Sequence, residues 1–200
     1  MCNAYDIGRP VKRLPEGILQ VITGPLVSGS GHRLIRRTDA APVITASFEL
    51  VSMRWGFERA RLGTINNARE DKLSGPMWST PFRERRCVIP VSAFYEWSGP
   101  KGRKQTHCFT RTDQGWFWIA GLWELSPEFG PCFSMITTRA NSVMAPIHNR
   151  MPAILEEDQI TPYFAGEIET FAPLPENIQV EESANPLVKP KEPPAQMELF

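Results

Sequence analysis

The chain has 200 residues, 42% of them hydrophobic, and its 22 basic and 22 acidic side chains cancel to zero net charge. That length suits one domain with a full core, and no run approaches the roughly 20 apolar residues that span a bilayer. The N-terminus lacks a basic stretch followed by an apolar one, so no secretory signal is read and a cytoplasmic location is expected.

The four cysteines (Cys2, Cys87, Cys108, Cys132) are scattered among only three histidines, with no CxxC pair or Cys/His cluster. No metal or cofactor is therefore expected, and the thiols read as reduced. The neutral total conceals a strong polarity. Residues 51–111 carry twelve basic against five acidic side chains, or +7, whereas residues 156–200 carry two against ten, or −8. A basic middle suits a polyanion partner, although an ordinary solvated surface fits it too.

In chain order, residues 1–8 read as a short strand carrying Cys2. Some helix is expected around Glu16–Ile22, and a strand from Val43 to Trp55 that Gly56 ends. The polar stretch 66–79 reads as helix or loop. The run 86–97 (RCVIPVSAFYEW) is the most strand-like in the chain, with Pro90 marking a bulge or an edge. Residues 106–111 form its hairpin partner, and 116–123 and 131–137 give two more strands. A short helix is expected over 141–148, stopped by Pro146, and another over 156–164. From residue 184 the Pro-rich composition marks a flexible tail, leaving one domain over 1–183. The fold class expected is α+β, with a curled, mainly antiparallel, barrel-like sheet and a few flanking helices.

Several residues carry chemistry. With Met1 removed, Cys2 presents an α-amine and a thiol on neighbouring carbons, a 1,2-aminothiol able to close a thiazolidine on an aldehyde. Glu96, between Tyr95 and Trp97 at the end of an apolar strand, is a candidate general acid or base; it equally fits a strand-end carboxylate facing water or an arginine. His148 and Arg150 lie between Pro146 and Pro152 in a rigid loop suited to a site, though a histidine held by a backbone carbonyl reads the same. Asn67 fits a turn residue and Arg69 a surface cation as well as a site.

Taken in order, Met1-Cys2, Arg54-Trp55-Gly56, Ile65-Asn66-Asn67-Ala68-Arg69-Glu70, Arg86-Cys87-Val88-Ile89-Pro90, Phe94-Tyr95-Glu96-Trp97, Ala120-Gly121-Leu122-Trp123-Glu124 and Ile147-His148-Asn149-Arg150-Met151-Pro152 resemble the SOS-response-associated peptidase (SRAP) family of abasic-site processing proteins. The resemblance spans about residues 1–155. It implies recognition of abasic sites in single-stranded DNA and a covalent thiazolidine crosslink through Cys2, with associated lyase and self-processing peptidase activity. It further implies that Asn67 holds the N-terminus or the sugar, Glu96 shuttles protons, and His148 assists ring opening or strand cleavage. Arg54, Arg69 and Arg150 would contact DNA, and Trp55 and Trp97 would stack on bases. The family's usual Met-Cys-Gly-Arg start is here Met1-Cys2-Asn3-Ala4, so one expected arginine is missing.

Two further classes stay open: an N-terminal-nucleophile cysteine hydrolase, and a non-catalytic module that binds single-stranded nucleic acid. The last residues, Gln196-Met197-Glu198-Leu199-Phe200, resemble the peptide with which replication proteins bind the sliding clamp, so Gln196, Leu199 and Phe200 are candidate anchors; a tail that packs or frays is the alternative. A monomer is expected.

Overall fold

The computed structural model describes residues 2–9, 12, 15–28, 33–173 and 177–188. The clamp-like peptide with Gln196, Leu199 and Phe200 lies outside them.

Strand β1 (Ala4–Ile7) is followed by helix α1 (Gly17–Ser28) and strands β2 (Arg33–Arg36), β3 (Ala40–Thr45), β4 (Leu50–Trp55), β5 (Phe57–Arg59), β6 (Gly63–Ile65) and β7 (Asn67–Arg69). After helix α2 (Ser79–Glu84) come β8 (Arg86–Val91), β9 (Ala93–Ser98), β10 (Gln105–Arg111), β11 (Phe117–Ser126) and β12 (Gly130–Arg139). The short strands β13 (Arg150–Pro152) and β14 (Ile154–Leu155), helix α3 (Ile160–Ala165) and strand β15 (Ile178–Ser183) follow, and short 3-10 turns at Glu70–Lys72 and Glu157–Gln159 complete the described elements.

Strands β12, β4, β3, β8 and β11 pair in sequence, and β11 pairs back onto β12, so five strands close into a barrel. Closure removes free sheet edges. A second sheet, in the order β15-β10-β9-β1-β2, carries the N-terminal strand. The α+β, mainly antiparallel, barrel-like reading therefore holds, with parallel pairing where β12 meets β4 and β7.

Four local expectations need correction, the first being the stretch 66–79, read as helix or loop, where Asn67–Arg69 is strand β7 paired with β12. The single strand read from Val43 to Trp55 is a hairpin, β3 and β4, which turns at Phe48 with φ of 58°. The run 86–97 is two strands in two different sheets, because the chain breaks at Ser92. There the Ser92 N–H and hydroxyl both donate to the Asp6 carbonyl, at 2.9 and 3.0 Å, and tie the break to β1. The expected helix over 141–148 is a series of turns, in keeping with a proline near its end. Pro90 does lie at a local edge. Strand β3 reaches only Cys87 and Val88, so no neighbour on that side seeks the missing N–H.

One long edge sets up the site. The first half of β12 pairs with β4 and the second half with β7, both in parallel. Between them the chain leaves at Gly56, runs out and back through the β5–β6 hairpin, and rejoins β12 at Asn67. Gly56 has φ of 121°, and a Cβ there would collide with the Thr64 methyl, so only glycine makes this turn. The detour delivers Asn66 and Asn67 to the end of β1.

Candidate functional site

Cys2 is buried, 2% exposed. Its carbonyl accepts two side-chain amide hydrogen bonds, from Asn66 Nδ2 at 3.1 Å and Asn67 Nδ2 at 3.0 Å. Asn66 is fixed in turn through its own carbonyl, which accepts the Trp55 indole N–H at 2.9 Å and the Met135 backbone N–H at 3.1 Å. Neighbours on a regular strand face opposite ways. Asn66 lies in the irregular step between β6 and β7, which lets both amides reach one carbonyl. Asn67 Oδ1 is buried and accepts no hydrogen bond from the described residues, a costly omission that a substrate or terminal N–H or O–H would remedy.

Beside this clamp is a cavity of about 400 Å³ lined by Asn3, Arg37, Thr64, Ile65, Asn66, Asn67 and His148. Burial, followed by the nearby Glu96 carboxylate, pushes the Cys2 thiol up to about 12. The thiol donates to the Ala4 carbonyl at 3.2 Å and is neutral at ordinary pH. Glu96 is itself 5% exposed, on β9 opposite His107, with the Trp97 backbone N–H donating to its Oε1 at 3.2 Å. The His148 ring meets the backbone of Arg150 through Nδ1, 3.0 Å from the N–H and 3.1 Å from the carbonyl. That backbone can serve either tautomer: the N–H donates to a bare Nδ1, and the carbonyl accepts from a protonated one.

A second cavity, of about 600 Å³, adjoins Arg69, Asp71, Arg139 and Arg150. Asp71 takes Arg69 in a two-pronged pair, at 3.0 Å from Nε and 2.6 Å from Nη2, and lies 3.6 Å from Arg150 Nη1. The Arg69 hydrogen bond holds the Asp71 carboxyl below its usual range and raises Arg69 in return. Burial pulls Arg150 down, with Asp71 opposing. Arg150 also donates to the Thr137 carbonyl through Nη2.

The structure thus gathers Cys2 and Asn67 at one clamp, with Glu96 acting on the thiol and His148 lining the adjoining cavity. Arg69 and Arg150 share Asp71 at the second cavity. Trp97 is half-buried against Ala4, Tyr95 and Cys108. Trp55 needs correction: it is fully buried, edge-on to Tyr5 and stacked on Phe133, so it braces Asn66 from the core and offers no face to a base. Arg54 is likewise engaged elsewhere, donating to the Gly56 carbonyl at 3.0 Å with its guanidinium over the Phe129 ring, and lines neither cavity. Asn66, Arg37 and Asp71 are site residues that sequence reasoning passed over. Only Asn66 and Asp71 carried a signal, their closeness to Asn67 and Arg69.

A closed barrel with a side sheet that carries a buried, amide-clamped cysteine at position 2 defines a particular class of α+β protein. A model of the SOS response associated peptidase (SRAP) family matches residues 27–186, and the chain belongs to that family. Among curated relatives, the abasic site processing protein YoqW of Bacillus subtilis (strain 168) is 34% identical over 122 residues, covering 54% of this chain and 54% of its own. The abasic site processing protein HMCES of Gallus gallus is 28% identical over 145 residues, covering 55% of this chain and 43% of its own. The chain thus spans about half the length of the curated relatives it matches. A solved protein from Bordetella bronchiseptica shares the fold with a TM-score of 0.74 at 19% identity, over 92% of this chain and 100% of that one. One from Bacteroides thetaiotaomicron gives 0.67 at 24% identity, over 76% and 78%.

Proposed function

We propose that this protein captures abasic sites in single-stranded DNA by closing a thiazolidine between Cys2 and the lesion. The observation that carries the reading is the double amide clamp on the Cys2 carbonyl, which fixes the residue beside a polar cavity also lined by His148. The relatives named abasic site processing proteins support the substrate class.

The chemistry begins with removal of Met1. The α-amine that this frees has an ordinary pKa of about 7.7–8.0, so part of it is neutral and nucleophilic at neutral pH. It attacks the C1′ aldehyde of the ring-opened deoxyribose, and the carbinolamine loses water to leave a Schiff base. The thiol sulfur then adds to the imine carbon while its proton passes to the imine nitrogen, and the ring closes. Glu96 is the proton carrier for these steps. His148, whose backbone partner serves either tautomer, assists sugar ring opening. Asn67 holds the terminus or the sugar through its unfilled Oδ1. Arg69 and Arg150 take phosphates and Trp97 supplies a stacking face. β-Elimination from the same Schiff base is the associated lyase outcome.

The buried Cys2 thiol, with Met1 in place, supports capture over hydrolysis. An N-terminal-nucleophile hydrolase attacks with a thiolate, whereas a thiol pushed up to about 12 holds its proton. Ring closure onto an imine needs only the neutral thiol, delivered together with its proton. The test is a denaturing gel of the protein incubated with a single-stranded oligonucleotide carrying one abasic site. Wild type gives a heat-stable shifted band and Cys2→Ala gives none. A Cys2→Ala variant that crosslinks as well as wild type ends the reading. Binding that ignores both lesion and Cys2 replaces it with a non-catalytic module.

A further inference from the structure

Arg37 differs from the other cations near the site. Arg69 and Arg150 are already matched by Asp71. Arg37 lines the cavity beside the Cys2 clamp (the Cys2 cavity), is exposed, and makes no ion pair among the described residues. Its one side-chain hydrogen bond among the described residues runs from Nη2 to the Thr64 carbonyl at 2.7 Å, which steers the guanidinium and leaves the rest of its donor fork open to them. The nearby carboxylates are committed elsewhere. Asp39 Oδ2 accepts the Arg36 N–H at 2.9 Å, and Glu58 Oε2 accepts the Thr64 hydroxyl at 2.8 Å and pairs with Arg54 at 3.5 Å.

The backbone that follows Arg37 is tied to β4. The next residue, Thr38, has φ of 72°, an uncommon and strained value for a β-branched side chain. Its N–H donates to the Trp55 carbonyl at 2.9 Å, and the Trp55 N–H donates to the Asp39 carbonyl at 2.9 Å. The same Trp55 fixes Asn66 through its indole. One buried residue therefore positions both the Cys2 clamp and the turn that presents Arg37, and sets the two in a constant relation.

We infer that Arg37 is the anion-binding residue of the Cys2 cavity, taking a phosphate of the bound strand next to the trapped sugar. The inference rests on the capture reading. A preset guanidinium whose donors and charge meet no carboxylate among the described residues is a ready phosphate fork. The role is positioning: Arg37 holds the strand while the reacting atoms belong to Cys2.

Arg36 supplies the control. It is an exposed arginine of the same segment whose side chain does not line the cavity. Fluorescence anisotropy with a single-stranded oligonucleotide bearing a tetrahydrofuran abasic analogue, which has no aldehyde, measures binding without capture. Arg37→Ala should weaken that binding about tenfold, Arg37→Lys less, and Arg36→Ala only about twofold, the loss due to diffuse charge. With a true abasic oligonucleotide at saturating concentration, the crosslinking rate of Arg37→Ala should stay within about twofold of wild type, because the lost contact serves binding. Thermal melting confirms that each variant is folded. Equal losses for Arg37→Ala and Arg36→Ala overturn the inference, as does unchanged binding. If wild type binds the analogue yet never crosslinks, the capture reading fails while the binding comparison still decides Arg37. A wild type that does neither overturns both.

Discussion

The Cys2 clamp and the arginine pair around Asp71 are built on opposite principles. At the clamp the groups that hold Cys2 are buried and neutral: two amides on one carbonyl, a thiol that keeps its proton, and a tryptophan behind them, with the buried Glu96 carboxylate as their charged neighbour. At Asp71 the charges are partly exposed and internally matched, with Arg69 and Asp71 about half exposed. The clamp cannot move without unmaking buried hydrogen bonds, whereas the Asp71 pair can trade its carboxylate for another anion at little cost, since exposed ion pairs contribute roughly 0–1 kcal/mol. On the capture reading, geometry is kept where bonds are made, and exchangeable charge where a polymer must bind and leave.

The sharpest test of that division removes the clamp. The double variant Asn66→Ala/Asn67→Ala strips both donors from the Cys2 carbonyl and should slow crosslinking about 100-fold at saturating DNA, at about 1–3 kcal/mol for each lost donor to a buried group. Binding of an abasic analogue should hardly change. If binding fell and the rate did not, the clamp would be a binding element and the contrast would collapse. Asp71→Asn acts on the other side. It releases Arg69 and Arg150 from their internal anion and should tighten single-stranded DNA binding about fivefold, with a steeper salt dependence and an unchanged saturated rate. Weaker binding would show that Asp71 orients the arginines more than it occupies them.

Acidity offers a subtler probe. Crosslinking should rise with pH through the α-amine range of about 7.7–8.0 and then level off, because the neutral amine is the attacking group. Stability should follow the opposite course. Unfolded thiols ionise near 9 while folded Cys2 and Cys87, both raised by burial, remain protonated. The folded state then binds more protons than the unfolded, so stability is complete below about pH 9 and declines above it, by about 1 kcal/mol per thiol over the first unit. Chemical denaturation at pH 8 and pH 10 reads this directly. The smallest effect belongs to Trp55→Phe, which keeps an aromatic ring in the core but deletes the indole donor to Asn66. It should slow crosslinking about threefold, in proportion to a bond worth about 0.5–1.5 kcal/mol.

Much of this was legible beforehand because strands that are buried on both faces read as continuous apolar runs. Arg86 to Val91 is buried at every position, as its composition suggested. The same property hid the break at Ser92, since a run that stays apolar across a change of sheet carries no punctuation, and the bonds that make the break come from Asp6, far away in sequence. Trp55 was misread because a tryptophan beside an arginine and a glycine looks the same whether it faces solvent or core; the partner that settles the matter, the Asn66 carbonyl, is supplied by a detour through another hairpin. Asn66 escaped notice because a stretch read as helix or loop gives no reason to pair it with Asn67 on one carbonyl; only the irregular step before β7 brings them together. Arg37 had no local mark at all. Its place at the cavity depends on a turn whose hydrogen bonds lie on β4.

The Cys2 clamp grips a carbonyl, an atom that precursor and mature chain both possess. On the capture reading, loss of Met1 therefore requires no rebuilding: the scaffold that will hold the reactive residue is complete while that residue is still an ordinary amide. Reactivity is then a matter of timing. The chain can fold and be stored with its aldehyde trap set but capped, and one proteolytic cut arms it.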